Sequence, residues 1–292
     1  MSEWKHIPIL ATEIADLLLT RPGGVYVDGT LGLGGHTSLF LSRLGPSARI
    51  FGFDKDSEAL AMAKERVHDS RLTAVHASYT QAPDVLAAAG LPGADGALFD
   101  LGVSSYQLDN PQRGFSLLRD GPLDMRFDTQ AELTAARIVN EWGLTDLERI
   151  LTDYGEEPQA HAIAMAIMAA RRQGRIETTF DLKKIVEGVV RGRGKIHPAT
   201  QTFQALRIAV NDELGSVRTV VELLDKLLIP GGRAAVLTFH SLEDRLVKNY
   251  FKQLAASGAW QLVNKHVIVP SYEEIRQNSR ARSAKLRVIE KL

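Results

Sequence analysis

The 292-residue chain contains no cysteine. Disulfides, thiolate zinc sites, iron–sulfur clusters and a cysteine nucleophile are therefore excluded. Long apolar runs are missing too: no stretch approaches the ~18 residues of a membrane span. The opening segment MSEWKHIPIL lacks the anatomy of a signal peptide, so the expectation is a cytoplasmic protein with no membrane partner. Internal repeats and low-complexity tracts are also absent. What remains, 45% hydrophobic and 24% charged residues, is an ordinary globular composition with enough chain to bury a core.

Net charge is zero, 35 Lys and Arg against 35 Asp and Glu, but the halves differ. Residues 1–170 hold 13 basic and 23 acidic side chains, a net of −10, whereas residues 171–292 hold 22 and 12, a net of +10. Such asymmetry points to a polyanion as partner of the basic half. Two stretches concentrate the cations. Residues 171–197 carry eight Lys or Arg and three acids, including Arg191-Gly192-Arg193-Gly194-Lys195, and residues 276–291 carry six and one. Basic runs of this kind suit phosphate contacts, although many are simply solvated.

Apolar periodicity divides the chain. A helix is expected over residues 10–20, then strands at Gly24–Asp28, Arg49–Asp54, Leu72–His76 and Gly96–Asp100. Helices at His36–Leu44, Ser57–Val67 and Ala82–Ala89 alternate with them, which implies a parallel, doubly wound sheet. From about Ser105 to Gln204 the pattern is helical, over 131–141, 144–154, 158–173 and 180–190. The sheet rhythm returns with a Pro230-Gly231-Gly232 turn and a strand at Arg233–Phe239. A helix at Leu242–Leu254 and strands at Trp260–Val269 and Lys285–Ile289 complete it. The expectation is an α/β sheet domain in two parts, 1–104 and 205–292, with a mainly helical insert at 105–204.

The segment Asp28-Gly29-Thr30-Leu31-Gly32-Leu33-Gly34-Gly35-His36-Thr37 closes the first strand and opens a helix. Its glycines permit a tight turn and close approach to a ligand, beside the free N–H groups of a helix N-terminus. A dinucleotide fingerprint starting at Gly32 fails at Thr37, and a phosphate loop fails because Gly34 is followed by Gly-His. Asp28, Asp54 and Asp100 each end a parallel strand, on the edge where open α/β sheets bind ligands. Asp54 has the position of a carboxylate that accepts both ribose hydroxyls of an adenosine. Glycines without a phosphate-loop lysine, together with strand-end carboxylates, fit the cationic sulfonium of S-adenosylmethionine better than a nucleotide phosphate.

These residues belong to a longer set: His6–Leu10, Phe53-Asp54, Asp100–Ser105, Leu108–Ser116 and Asp120–Arg126. His197-Pro198-Ala199-Thr200, Phe203–Leu214, Phe239–Arg245 and Arg282–Arg287 extend it. The chain resembles the S-adenosylmethionine-dependent small-subunit ribosomal RNA cytosine-N4 methyltransferases nearly end to end. It departs at Gln201, where that family usually carries arginine. The resemblance implies a Rossmann-like class I methyltransferase sheet and a cofactor site of Gly34, Gly35, His36, Asp54, Tyr79, Asp100 and Gln107. It implies 16S ribosomal RNA as substrate, near the decoding centre and within the assembled small subunit, and leaves a homodimer open. Candidate RNA contacts are Arg113, Arg191, Arg193, Lys195, His197 and His240. No metal ligands are assigned.

The missing cysteine bears on mechanism. Methylation at pyrimidine carbon 5 generally needs a thiolate to add to the ring, whereas displacement by an exocyclic amine does not. The N4 lone pair is delocalised, so an acceptor for an N4–H in line with the methyl group would assist. Asp100 is the first candidate, because the Asp-Pro-Pro-aromatic turn of many amino-methyltransferases is replaced here by Asp100-Leu101-Gly102-Val103. Two competing readings are a nicotinamide oxidoreductase and an RNA-binding ribosome-assembly factor without chemistry.

Overall fold

The computed structural model describes residues 8–190 and 197–292. Seven strands form one sheet: β1 (Val25–Asp28), β2 (Arg49–Asp54), β3 (Leu72–His76), β4 (Ala94–Asp100), β5 (Leu228–Thr238), β6 (Trp260–Leu262) and β7 (Lys285–Lys291). Their order is β3-β2-β1-β4-β5-β7-β6. β1 to β5 pair in parallel, β7 runs antiparallel to β5, and β6 antiparallel to β7. β4 is buried from Ala94 to Phe99, as expected of a parallel strand covered on both faces.

Four helices accompany the first half of the sheet: α1 (Ala11–Leu18), α2 (Gly35–Arg43), α3 (Ser57–Arg66) and α4 (Ala82–Ala88). The next six are α5 (Ser105–Asp109), α6 (Ala135–Glu141), α7 (Leu144–Asp153), α8 (Ala160–Ala170), α9 (Thr179–Val189) and α10 (Thr200–Asn211). The chain then returns through α11 (Glu213–Leu227), α12 (Ser241–Ala256) and α13 (Tyr272–Gln277). Two compact units result, one of residues 1–102 and 214–292, the other of residues 103–213.

Side chains alternate across the strands and build a core on each face of the sheet. Val27, Phe53 and Phe99 join Leu224, Phe251 and Trp260 on one side. Tyr26, Ile50 and Leu98 join Leu18, Phe40 and Leu286 on the other. The inserted unit has a separate core in which Ile138, Leu147, Ile163, Leu182 and Phe203 are buried together.

Among the boundaries that differ from the sequence pattern, three bear on the architecture. The inserted unit ends at Glu213 rather than at 204, because Phe203 and Leu206 of α10 pack into its core. Asp212, at φ 47°, then breaks the helical run before α11. The strand expected over 260–269 stops at Leu262. Beyond Val263 the Asn264 side chain interrupts the backbone pairing, accepting from the Val288 N–H at 2.7 Å and donating to the His266 carbonyl at 2.8 Å, and pairing resumes only as a bridge between Ile268 and Leu286. β5 begins at Leu228 instead of Arg233, with Pro230-Gly231-Gly232 bulging between its pairings to Ala94 and Gly96.

Candidate functional site

The loop between β1 and α2 is stitched to its neighbours by backbone hydrogen bonds. Gly29 N–H donates to the Leu98 carbonyl at 2.8 Å, and Leu31 N–H to the Phe53 carbonyl at 2.8 Å. Gly34 caps α2 in the left-handed region at φ 76°, and no side chain caps the helix. A Cβ on Gly34 would lie 2.6 Å from Val67 Cγ2, so this position excludes side chains through both conformation and space. The first N–H groups of α2 therefore face the carboxyl ends of β1 and β2 without a capping group.

The three strand-end aspartates have different jobs. Asp28 is 1% exposed, and its carboxylate accepts from Thr37 Oγ1 at 2.6 Å and from the Thr30 N–H at 3.2 Å. Burial pushes its pKa up despite these bonds, with Asp100 adding to the rise. Thr37, where a dinucleotide fingerprint would have its last glycine, thus ties α2 to β1. Asp28 shapes the loop and is not exposed to a ligand.

Asp54 is only partly buried. Its Oδ2 accepts from Gly32 N–H at 2.7 Å and its Oδ1 from Asp56 N–H at 2.8 Å, which leaves each oxygen a second lone pair. Burial is the main cause that raises its pKa to about 6, and the Asp56 and Asp28 carboxylates raise it further against those two hydrogen bonds. Asp100 completes the group. Its own N–H donates to Thr30 Oγ1 at 2.7 Å, and its Oδ2 lies 3.4 Å from His36 Nε2. His36 is 6% exposed, and neither ring nitrogen has a hydrogen-bond partner. Tyr79 follows β3 in a short 3-10 turn, its ring packed edge-on against Phe99 at 5.4 Å.

The edge thus offers mutually repelling carboxylates, two unpartnered imidazole nitrogens and an open helix start. A family model for the MraW methylases matches residues 3–292. The chain belongs to the MraW methylase family. Curated relatives agree over the full length. Ribosomal RNA small subunit methyltransferase H of Elusimicrobium minutum is 56% identical across 100% of both chains. The protein of that name from Geobacter sulfurreducens is 45% identical across 99% of both. An rRNA methylase structure from Streptococcus thermophilus gives a TM-score of 0.40 at 12% identity, over 97% of this chain and 93% of that one. That likeness is too remote to add to the assignment. Membership makes this chain a methyltransferase that works with S-adenosylmethionine, built on a mixed α/β fold with a seven-stranded sheet, and the nicotinamide reading falls. No helix among the described residues is long and apolar enough to cross a membrane.

The other described residues singled out from sequence have local partners in this MraW-family chain. Gln107 completes a capping box at α5: Ser104 N–H donates to its Oε1 at 3.0 Å, and Gln107 N–H donates to Ser104 Oγ at 3.2 Å. Arg113, expected to touch RNA, is instead 5% exposed, and its Nη2 donates to the carbonyls of Arg126 and Phe127. It braces its own loop, and the expected RNA contact is withdrawn. His197 Nδ1 accepts from Ala199 N–H at 3.1 Å, with Nε2 3.1 Å from Glu187 Oε1. His240 caps α12, with Nε2 3.1 Å from the fully buried Glu243. Arg191, Arg193 and Lys195 lie outside the described residues.

The C-terminal basic stretch is partly spent on internal ion pairs. Lys285 and Arg287 both bind Asp244, at 3.1 and 2.7 Å, and Lys291 binds Asp225 at 2.9 Å. Arg171 of the earlier stretch donates to the carbonyls of Val139 and Trp142. What sequence reasoning missed is the division of labour among the aspartates. The Thr37 signal was available, nine residues after Asp28 and in the first turn of α2.

Proposed function

We propose that this protein transfers the methyl group of S-adenosylmethionine to the exocyclic N4 of one cytidine in 16S ribosomal RNA, within the small ribosomal subunit. The observation that carries the reading is the Asp54 carboxylate. Each of its oxygens is aimed by one backbone N–H and keeps a lone pair for a ribose hydroxyl. Beside it, the Asp56 and Asp28 carboxylates raise the pKa of Asp54, and Asp100 raises that of Asp28, a concentration of negative charge that favours a cation. The cofactor, when bound, supplies an electrophilic methyl on a cationic sulfur.

The chain's own residues orient and accept. Asp54 holds the ribose, Gly34, Gly35 and His36 line the approach at the start of α2, and Tyr79 lies beside the adenine. Asp100 serves the methionine end. Asp100 accepts a hydrogen bond from the target amine, which localises the N4 lone pair for attack. Its proton leaves toward solvent after transfer. With no cysteine in the chain, covalent addition to the pyrimidine ring has no nucleophile of the usual kind, which favours an amine over carbon 5. The inserted unit carries RNA, with Arg191, Arg193 and Lys195 as phosphate contacts.

The test supplies S-adenosylmethionine with either naked 16S RNA or purified small subunits and identifies the modified nucleoside by mass spectrometry. N4-methylcytidine on the subunit is expected. A ribose-methylated or carbon-5-methylated product would refute the amine as acceptor. RNA binding without any transfer would favour an assembly factor.

A further inference from the structure

We propose that residues 116–120 form a rigid finger that inserts Leu118 between stacked bases of the substrate RNA. The inference rests on the reading above, of an enzyme that acts on an RNA base. Leu118 is 85% exposed, more than any other large apolar side chain among the described residues. A single exposed leucine needs no explanation on a floppy loop. This loop is not floppy.

The finger leaves and returns through a neck of touching backbone. A Cβ on Gly121 would lie 1.9 Å from the Pro111 carbonyl oxygen, and one on Gly114, at φ 73°, 2.3 Å from that of Pro122. Both positions therefore require glycine. Below the neck, Phe115 stacks on Phe127 at 5.8 Å. Met125 is held at φ 64°, its carbonyl accepting from Asn211 Nδ2 at 2.8 Å and its N–H donating to the Arg113 carbonyl at 3.1 Å. Strain of this kind persists only where the surroundings fix it. This bracing is the structural reason Arg113 is buried.

The tip is fixed as well. Ser116 Oγ accepts from the N–H groups of Leu118 and Arg119, both at 3.2 Å. Lys183 of α9 donates to the Leu117 carbonyl at 3.0 Å, and Arg119 Nη1 to the Asp109 carbonyl at 2.8 Å. Asp120 accepts from the N–H groups of Gly121 and Phe180. Holding an apolar side chain rigidly in water gains the free protein nothing. It lowers the ordering cost of a later insertion.

Charge identifies the partner. Arg119 adjoins the tip and Lys183 of α9 reaches the Leu117 carbonyl, while the acid of the finger, Asp120, is engaged by Gly121, Thr179 and Phe180. An apolar tip the width of one side chain, flanked by cations, fits a base step between phosphates and is too small for the core of a protein interface. An enzyme that reaches an exocyclic amine must take the base out of its stack, and a wedge holds the gap open.

The test compares wild type with Leu118→Ser and Leu118→Met, neither of which disturbs a buried contact. The substrates are small ribosomal subunits and an RNA hairpin of the target region, with 2-aminopurine next to the target cytidine. Wild type and Leu118→Met should raise 2-aminopurine fluorescence on binding, and Leu118→Ser should not. On subunits, kcat of Leu118→Ser should fall about 10- to 100-fold, the scale of losing one stacking contact, with KM within about threefold. A short single-stranded RNA, already unstacked, should restore most of that loss. Equal fluorescence and equal kcat for Leu118→Ser would overturn the wedge, as would a wild type that binds the hairpin without unstacking it. A wild type that unstacks the hairpin yet methylates no RNA would overturn the functional reading and leave the wedge standing.

Discussion

If Asp54 receives the ribose hydroxyls, cofactor affinity must follow its ionisation. In the free protein its pKa is raised from 3.8 to about 6, chiefly by burial. At pH 5 about one molecule in eleven then carries the carboxylate, so the dissociation constant should be about tenfold higher than at pH 8. Calorimetry across pH 5–8 measures this directly. Folding stability should carry the opposite slope. A carboxyl whose folded pKa exceeds its unfolded value favours the folded state below pH 3.8 and loses that contribution as pH rises through about 6. The loss is on the order of 3 kcal/mol. Saturating cofactor should offset it, so the stabilisation on binding grows with pH. Asp54→Asn should remove the dependence near pH 6, any remaining slope belonging to Asp28, whose pKa burial also raises. S-adenosylhomocysteine separates the causes. It shares the ribose but lacks the cationic sulfur, so an equal slope assigns the effect to the hydroxyls. A flat affinity from pH 5 to 8 would refute the placement of the ribose on Asp54.

Three further outcomes are expected. Gly34→Val meets Val67 Cγ2 and a φ of 76°, so both the melting temperature and cofactor affinity should fall, and a normal binding isotherm would contradict the loop's role. Asp100→Asn should keep the fold and lower methyl transfer by about 10²-fold or more, with cofactor affinity falling less; equal losses would reduce Asp100 to a cofactor ligand. Replacing Arg191, Arg193 and Lys195 with Glu should spare cofactor affinity and flatten the log–log salt dependence of RNA binding by about two to three units, and an unchanged slope would leave that stretch a solvated surface.

Strands β1, β2 and β4 were legible because they are short apolar runs closed by aspartate. β2 and β3 start and stop where the sequence pattern puts them. α5 was not legible: five residues are too few for a periodicity, and its only signal is the Ser104–Gln107 capping box. β6 was overread because Val263, Val267 and Ile268 continue an apolar pattern that the Asn264 side chain interrupts. At the site, the glycine loop and the strand-end position of Asp54 could be read directly. Which aspartate faces inward could not, since that depends on Thr37 packing back from the next helix. Arg113 was misjudged for a similar reason: its neighbours are carbonyls 13 and 14 residues downstream. The finger's neck is still less visible, because it depends on two glycines meeting backbone from the other side of a loop.

The insertion has a kinetic consequence. β4 ends at Asp100 and its partner β5 starts at Leu228, so the central pairing of the sheet joins chain segments separated by the whole inserted unit. Contacts this distant in sequence form late, whereas the inserted unit has its own core and only local connections to make. During synthesis, β4 is therefore an unpaired edge until α11 and β5 have been made. The cofactor edge cannot mature before then, because the Asp100 strand end is fixed on one side by β1 and on the other by β5. A nascent chain halted before Leu228 should hold a folded insert beside an open, aggregation-prone half sheet.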